Sequence, residues 1–192
     1  MPQAERTGLA RNLDRAAVST LMRHIHAHPN IGQLYAVNLS AGSVQDHDFV
    51  DWLCNQLQAQ PGCAACLVFE VPEYGVLGNV DAMRHLSERV TALGGACAID
   101  HFGRGFSAFG YMRTLRIRYV KIDGSYTRGI DSNKDNQFFV QALIRTLHGI
   151  DVQVIAENVE TAAEEQTLIS LGVDGLQGYL LGKPMGGVIG AA

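Results

Sequence analysis

The sequence predicts an α/β protein built on a parallel sheet of the (β/α) barrel kind. Short, mostly apolar runs alternate with stretches of helical periodicity along nearly the whole chain. Apolar runs of that kind suit strands covered by helices on both faces. Every run also ends in a polar side chain, in turn Asn38, Glu70, Asp100, Lys121, Glu157 and Gln177. An open, doubly wound sheet gathers its ligand groups at one switch point, whereas a barrel brings the carboxyl ends of all its strands round a single mouth. A polar group at the end of each strand therefore favours the barrel.

Each element has its own justification. Between Leu9 and His28 the apolar residues Leu13, Ala17, Leu21 and Ile25 recur at every fourth position, which predicts a helix with these four on one face. Leu34–Ser40 reads as a strand, Phe49–Leu57 as a helix, Cys66–Val71 as a strand, Val80–Leu93 as a helix and Ala96–Asp100 as a strand. Beyond a glycine-rich stretch come the strand Tyr119–Asp123, the helix Asn136–His148, the strand Val152–Glu157, the helix Ala162–Leu171 and a short strand Gly175–Gln177. Closing this barrel type takes about eight strands, so the reading predicts an open, incomplete barrel of about six. Its free edges would seek cover from a second copy in a homodimer, from Gly182–Ala192 folding back, or from a helix of the same chain. With 192 residues the chain is expected to be one domain, 1–192, with 186–192 as a flexible tail.

Composition narrows the function. A net charge of -4 argues against a surface that coats DNA or RNA, while leaving room for a local basic pocket. No apolar run has spanning length and no signal peptide is evident, which places this part of the chain in the cytoplasm. Cys63-Ala-Ala-Cys66 has no second pair at zinc-ribbon spacing, so Cys54, Cys63, Cys66 and Cys97 read as buried free thiols.

The strand ends carry the chemistry. Glu70, Asp100 and Glu157, with the amide oxygen of Asn38, are hard oxygen donors of the kind that suit Mg²⁺, Mn²⁺ or Ca²⁺. Lys121 adds a fixed positive charge, and carboxylates with a lysine round one mouth suit metal-assisted phosphate-ester hydrolysis. Arg104, in the loop Gly103-Arg-Gly105, with Arg113, Arg116 and Arg118 beyond it, would add phosphate contacts.

The stretches Val37-Asn-Leu-Ser40, Phe69-Glu-Val-Pro-Glu73, Ile99-Asp-His-Phe-Gly-Arg-Gly-Phe-Ser107, Val120-Lys-Ile-Asp123, Ala156-Glu-Asn-Val-Glu160 and Gln177-Gly-Tyr-Leu-Leu-Gly-Lys-Pro184 resemble successive motifs of the EAL domain. That family comprises cyclic di-GMP phosphodiesterases and inactive, ligand-binding relatives. The resemblance implies a TIM-like barrel with Asn38, Glu70, Asp100 and Glu157 as metal or water ligands. It places Lys121 beside the attacking water, so that Lys121 and Glu157 hold the family's catalytic positions. Glu73 would brace the loop after Asp100, and Asn38, Arg104, Lys121, Glu157 and Gln177 would contact the dinucleotide.

Two departures qualify the resemblance. Active members carry two adjacent aspartates where this chain has Asp100-His101, and the Glu-Ala-Leu strand that names the family is absent from the sequence. An imidazole at 101 removes a negative charge and a bridging oxygen from a site suited to hard cations. The pattern is most similar to the degenerate EAL domains of LapD-type receptors. It implies a non-catalytic cyclic di-GMP receptor within a larger GGDEF-EAL protein of the inner membrane, with HAMP and periplasmic output domains as neighbours. Such a receptor needs no cofactor for binding. The alternative is a phosphodiesterase that uses Mg²⁺ or Mn²⁺ to produce linear pGpG.

Overall fold

The computed structural model describes residues 9–28, 32–103 and 109–183. Six strands form one sheet in chain order: β1 (Tyr35–Asn38), β2 (Leu67–Pro72), β3 (Ala96–Phe102), β4 (Tyr119–Ile122), β5 (Gln153–Ala156) and β6 (Gly175–Leu176). The pairs β1–β2, β4–β5 and β5–β6 are parallel. An order that never reverses is that of a (β/α) barrel and not of a doubly wound sheet. The fold is an incomplete TIM-like barrel, with six strands among the described residues and β1 and β6 at the ends of the order.

The chain packs as two compact units. The first holds the described residues up to 98 together with 109–117. Its helices are α1 (Ala10–Ala27), α2 (Ala41–Val44), α3 (His47–Ala59), α4 (Pro61–Ala64), α5 (Glu73–Gly78) and α6 (Val80–Ala92). The core runs from Leu67, Phe69 and Val71 of β2 to Val18, Met22 and Ile25 of α1, Phe49, Leu53 and Leu57 of α3, and Met83, Leu86 and Val90 of α6. Leu67 to Val71 are all buried, as expected of a parallel strand covered on both faces. Asp46 and Asn79 begin α3 and α6 by accepting hydrogen bonds from the amides of Phe49 and Ala82.

Helix α1 departs from the expected face. Leu13 and Ala17 are exposed, and the buried stripe is Ala10, Asp14, Val18, Leu21, Met22 and Ile25. A carboxylate displaces the apolar stripe by one residue because Asp14 has hydrogen-bonding work inside. Its Oδ2 accepts from the amide and hydroxyl of Ser40 at 2.9 and 2.7 Å and from the Ser43 hydroxyl at 2.7 Å. A buried carboxylate satisfied in this way fixes the turn that leaves β1.

The second unit holds residues 99–103 and 118–183, with α7 (Gly124–Thr127), α8 (Lys134–His148) and α9 (Ala162–Leu171). Val140, Leu143, Ile144 and Leu147 form the buried stripe of α8, which packs on β5. Helix α9 buries only Glu164 and Leu168, so its start depends on its cap. Thr161 and Glu164 make a reciprocal capping box, and the Glu164 carboxylate also accepts from the amides of Gly129 and Glu160 at 2.7 and 2.8 Å.

Beyond β6 the backbone crosses the loop that follows β5. The Val159 amide donates to the Gln177 carbonyl and the Leu180 amide to the Val159 carbonyl, each at 3.1 Å. Gly178 lies between them, where a Cβ would overlap the backbone of Val159. Gly178→Ala is therefore expected to cost at least about 1–3 kcal/mol, the usual range for overpacking, since backbone cannot rotate out of the way. Thermal unfolding checks this, and an unchanged melting temperature would show that the crossing is looser than its hydrogen bonds imply.

Candidate functional site

Strand register determines which side chains share a face. In the first unit Asn38 is paired in register with Glu70, and the Leu39 amide donates to the Glu70 carbonyl at 2.8 Å. Registered residues of parallel neighbours project to one side, so the Asn38 amide and the buried Glu70 carboxylate share a face. Glu70 is not the last residue of its strand, since β2 continues to Pro72. Glu73 is buried at the start of α5.

In the second unit Lys121 is in register with Ile155. The alternation of β4 and β5 then puts Lys121, Asp123 and Glu157 on a common face. Lys121 Nζ lies 2.8 Å from Glu157 Oε1 and 3.8 Å from Asp100 Oδ1, with all three side chains buried. The backbone just beyond β5 is held by the Thr127 hydroxyl, which donates to the Glu157 carbonyl.

His101 joins this group through an unusual backbone. Consecutive strand residues normally point to opposite faces, but His101 is left-handed, with φ of 54°. The ring consequently sits on the same side as Asp100. Its Nε2 is 3.5 Å from Asp100 Oδ2, while Nδ1 is 3.4 Å from Asp123 Oδ2 and 3.5 Å from Glu157 Oε2. The His101 amide also donates to Asp100 Oδ1 at 2.9 Å. Two residues further on, the backbone is anchored by Tyr126, whose hydroxyl donates to the Gly103 carbonyl at 2.7 Å and whose ring stacks on Phe139.

Electrostatically the cluster is taut. Burial pushes the Glu157 carboxyl above the usual carboxylate range, Lys121 opposes that rise and Asp100 adds to it. Glu157 Oε2 is fully enclosed and makes no hydrogen bond. One donor atom each from Asp100, His101 and Glu157 lie within 4.8 Å of one another. Together with the orphaned oxygen, that spacing fits a divalent cation.

Glu157 also lines a cavity of about 380 Å³ with Asn158, Gln177, Tyr179 and Lys183. That volume lies in the range of small-molecule sites. Its wall offers an amide, an aromatic ring, a carboxylate and an ammonium group, which can serve a planar polar ligand bearing negative charge.

The expected residues are therefore distributed over the two units. The second brings Asp100, Lys121 and Glu157 together and puts Gln177 with Glu157 on the lining of one cavity, while the first registers Asn38 with Glu70. Arg104 and the tail 186–192 lie outside the described residues. Sequence reasoning missed Asp123, Tyr126 and Lys183. Asp123 had a readable signal, since Lys121-Ile-Asp123 places two charges on one strand face; Tyr126 had none. Of the cysteines, Cys54, Cys63 and Cys97 are buried, with burial pushing the Cys97 thiol up to about 12, but Cys66 is only half-buried because it precedes β2.

The EAL domain family model matches residues 1–184. This chain belongs to the EAL domain family. The bifunctional diguanylate cyclase/cyclic di-GMP phosphodiesterase MucR of Pseudomonas aeruginosa is 32% identical, over 96% of this chain and 27% of that protein. The solved complex of the PaMucR phosphodiesterase with c-di-GMP superposes with a TM-score of 0.88 at 30% identity, covering 96% of this chain and 76% of that one. The FimX EAL domain of Pseudomonas aeruginosa bound to c-di-GMP gives 0.86 at 28%, covering 97% and 75%. Vibrio cholerae LapD, at 22% identity, 0.86 and coverage of 93% and 43%, shares the fold. The chain spans about a quarter of the length of the curated relatives it matches. Among the described residues no helix is long and apolar enough to cross a membrane.

Removing the Lys121 ammonium should be costly. Breaking one side of a buried pair typically costs about 3–5 kcal/mol, so Lys121→Met is expected to lose an amount of that order at neutral pH. A raised folded pKa means that Glu157 favours the fold below its ordinary value of 4.5, and that this contribution is lost as pH rises through the raised value. Without Lys121 the raised value climbs further. The deficit of Lys121→Met should accordingly shrink as the solution is acidified, which denaturant titrations at several pH values would reveal; a deficit independent of pH would contradict the pairing.

Proposed function

We propose that this chain is a cyclic di-GMP-binding module of a larger signalling protein, reading the dinucleotide without hydrolysing it. The observation that carries this reading is His101. Where the active relatives implied by the resemblance have a second adjacent aspartate, an imidazole stands among Asp100, Asp123 and Glu157. Two-metal hydrolysis of a phosphodiester depends on carboxylate oxygens to hold both ions, and here one such oxygen is replaced by nitrogen.

Binding survives that replacement because it draws on other groups. In this reading Lys121 and Arg104 meet the phosphates, while Asn38, Glu157 and Gln177 contribute polar contacts. Lys183 and the Tyr179 ring, on the wall that holds Gln177, add a cation and a stacking face. The c-di-GMP complexes of the PaMucR and FimX domains support the ligand class. LapD-type receptors offer a functional parallel in this reading. The module would sit on the cytoplasmic side of a membrane-anchored protein with GGDEF, HAMP and periplasmic output neighbours, and no DNA or RNA partner is expected. The second reading, a phosphodiesterase dependent on Mg²⁺ or Mn²⁺, is favoured by one observation: Asp100 and Glu157 remain assembled, beside Lys121, in a cluster that fits a cation.

Calorimetry with cyclic di-GMP and a hydrolysis assay separate the two. The chain is expected to bind the dinucleotide without added metal and to yield no linear pGpG with Mg²⁺ or Mn²⁺. Charged hydrogen bonds to phosphate contribute about 1.5–3 kcal/mol each, so Lys121→Ala or Arg104→Ala should weaken binding roughly tenfold or more. Steady pGpG production that disappears in Glu70→Ala would establish the enzyme instead, and no binding at all would remove both readings.

A further inference from the structure

We infer that His101 makes the Asp100–Glu157 cluster a mixed nitrogen–oxygen site that selects a single imidazole-preferring divalent ion, Zn²⁺ or Co²⁺, over Mg²⁺. The inference is independent of the dinucleotide reading, because it concerns the ion alone. Four observations carry it. The left-handed backbone at 101 turns the ring back toward Asp100, so the imidazole enters the cluster although strand alternation would send it away. Donor atoms of Asp100, His101 and Glu157 all lie within 4.8 Å of one another. His101 Nδ1 and Glu157 Oε2 are 3.5 Å apart, close to the roughly 3.4 Å expected between two ligands about 2.1 Å from a tetrahedral Zn²⁺. Finally, Glu157 Oε2 is enclosed and makes no hydrogen bond, while Lys121 Nζ lies 2.8 Å from the opposite oxygen, Oε1.

Three carboxylates, those of Asp100, Asp123 and Glu157, lie within 3.5 Å of the His101 ring. Mg²⁺ demands near-octahedral oxygen coordination and gains little from imidazole, whereas Zn²⁺ and Co²⁺ accept nitrogen readily. His101 is thus the residue that sets ion preference. An aspartate at the same position would return the cluster to hard oxygen donors.

The test is metal binding by the whole chain without nucleotide, in a Cys63→Ser/Cys66→Ser background so that the Cys-x-x-Cys pair does not compete. Affinities for Zn²⁺ and Mg²⁺ come from calorimetry, and Co²⁺ reports its ligands through visible absorption. Zn²⁺ should bind far more tightly than Mg²⁺, His101→Ala should lose tenfold or more in Zn²⁺ affinity, and His101→Asp should lower the Zn²⁺ to Mg²⁺ affinity ratio at least tenfold. In the histidine-bearing chain the ring-nitrogen resonances of His101 should shift on adding Zn²⁺, a readout that needs no substitution at 101 and no activity. An unchanged ratio in His101→Asp, full Zn²⁺ affinity in His101→Ala, or His101 resonances indifferent to Zn²⁺ would overturn the inference.

Discussion

The buried contact between Lys121 and Glu157 is the constraint around which the second unit is arranged. Two charges taken out of water are tolerated only when each finds a partner in good geometry. The register of β4 on β5 supplies that geometry by setting Lys121 opposite Ile155, one alternation short of Glu157. Around the pair, Asp123 begins α7 by accepting from the Ser125 amide, and Thr127 of the same short helix holds the Glu157 carbonyl. Tyr126, between them in sequence, secures the end of β3 at Gly103. One turn of helix thereby ties three strand ends together.

The same pair explains why the cluster is poised for a cation. Lys121 satisfies one oxygen of Glu157 and leaves the other enclosed and unbonded, so burial lifts the carboxyl's affinity for a proton. A proton and a metal ion are alternative ways of relieving that oxygen. The imidazole of His101 stands beside it, and the same glutamate also lines the cavity with Gln177, Tyr179 and Lys183. In the readings proposed above, ligand recognition and ion binding would meet at this one residue.

Much of this was legible in the sequence, for physical reasons that differ by element. The strands stood out because parallel strands covered on both faces are continuous apolar runs, as β2 is from Leu67 to Val71. A barrel, and not a doubly wound sheet, was read from polar groups recurring at successive strand ends, and Asp100, Lys121 and Glu157 were found because charge inside an apolar run is rare without a purpose. The face of α1 was misread because its buried stripe is organised by a carboxylate, Asp14, which apolar periodicity counts as surface. The short helices α2, α4, α5 and α7 carry too few residues to show a period. The place of His101 in the site was legible through the family resemblance, where it stands for a second aspartate, and not through strand periodicity. Alternation along β3 sends it away from Asp100, and only a positive φ brings it back.

A double-mutant cycle between Lys121 and Glu157 tests the central claim most directly. Unfolding free energies of the chain, of Lys121→Met, of Glu157→Gln and of the double variant give the coupling between the two side chains. Residues in contact couple by about 0.5–3 kcal/mol, and a buried ion pair that organises its surroundings should reach about 2 kcal/mol or more at neutral pH. Additivity of the two single substitutions to within about 0.5 kcal/mol would show that the pair is not what holds these strand ends together.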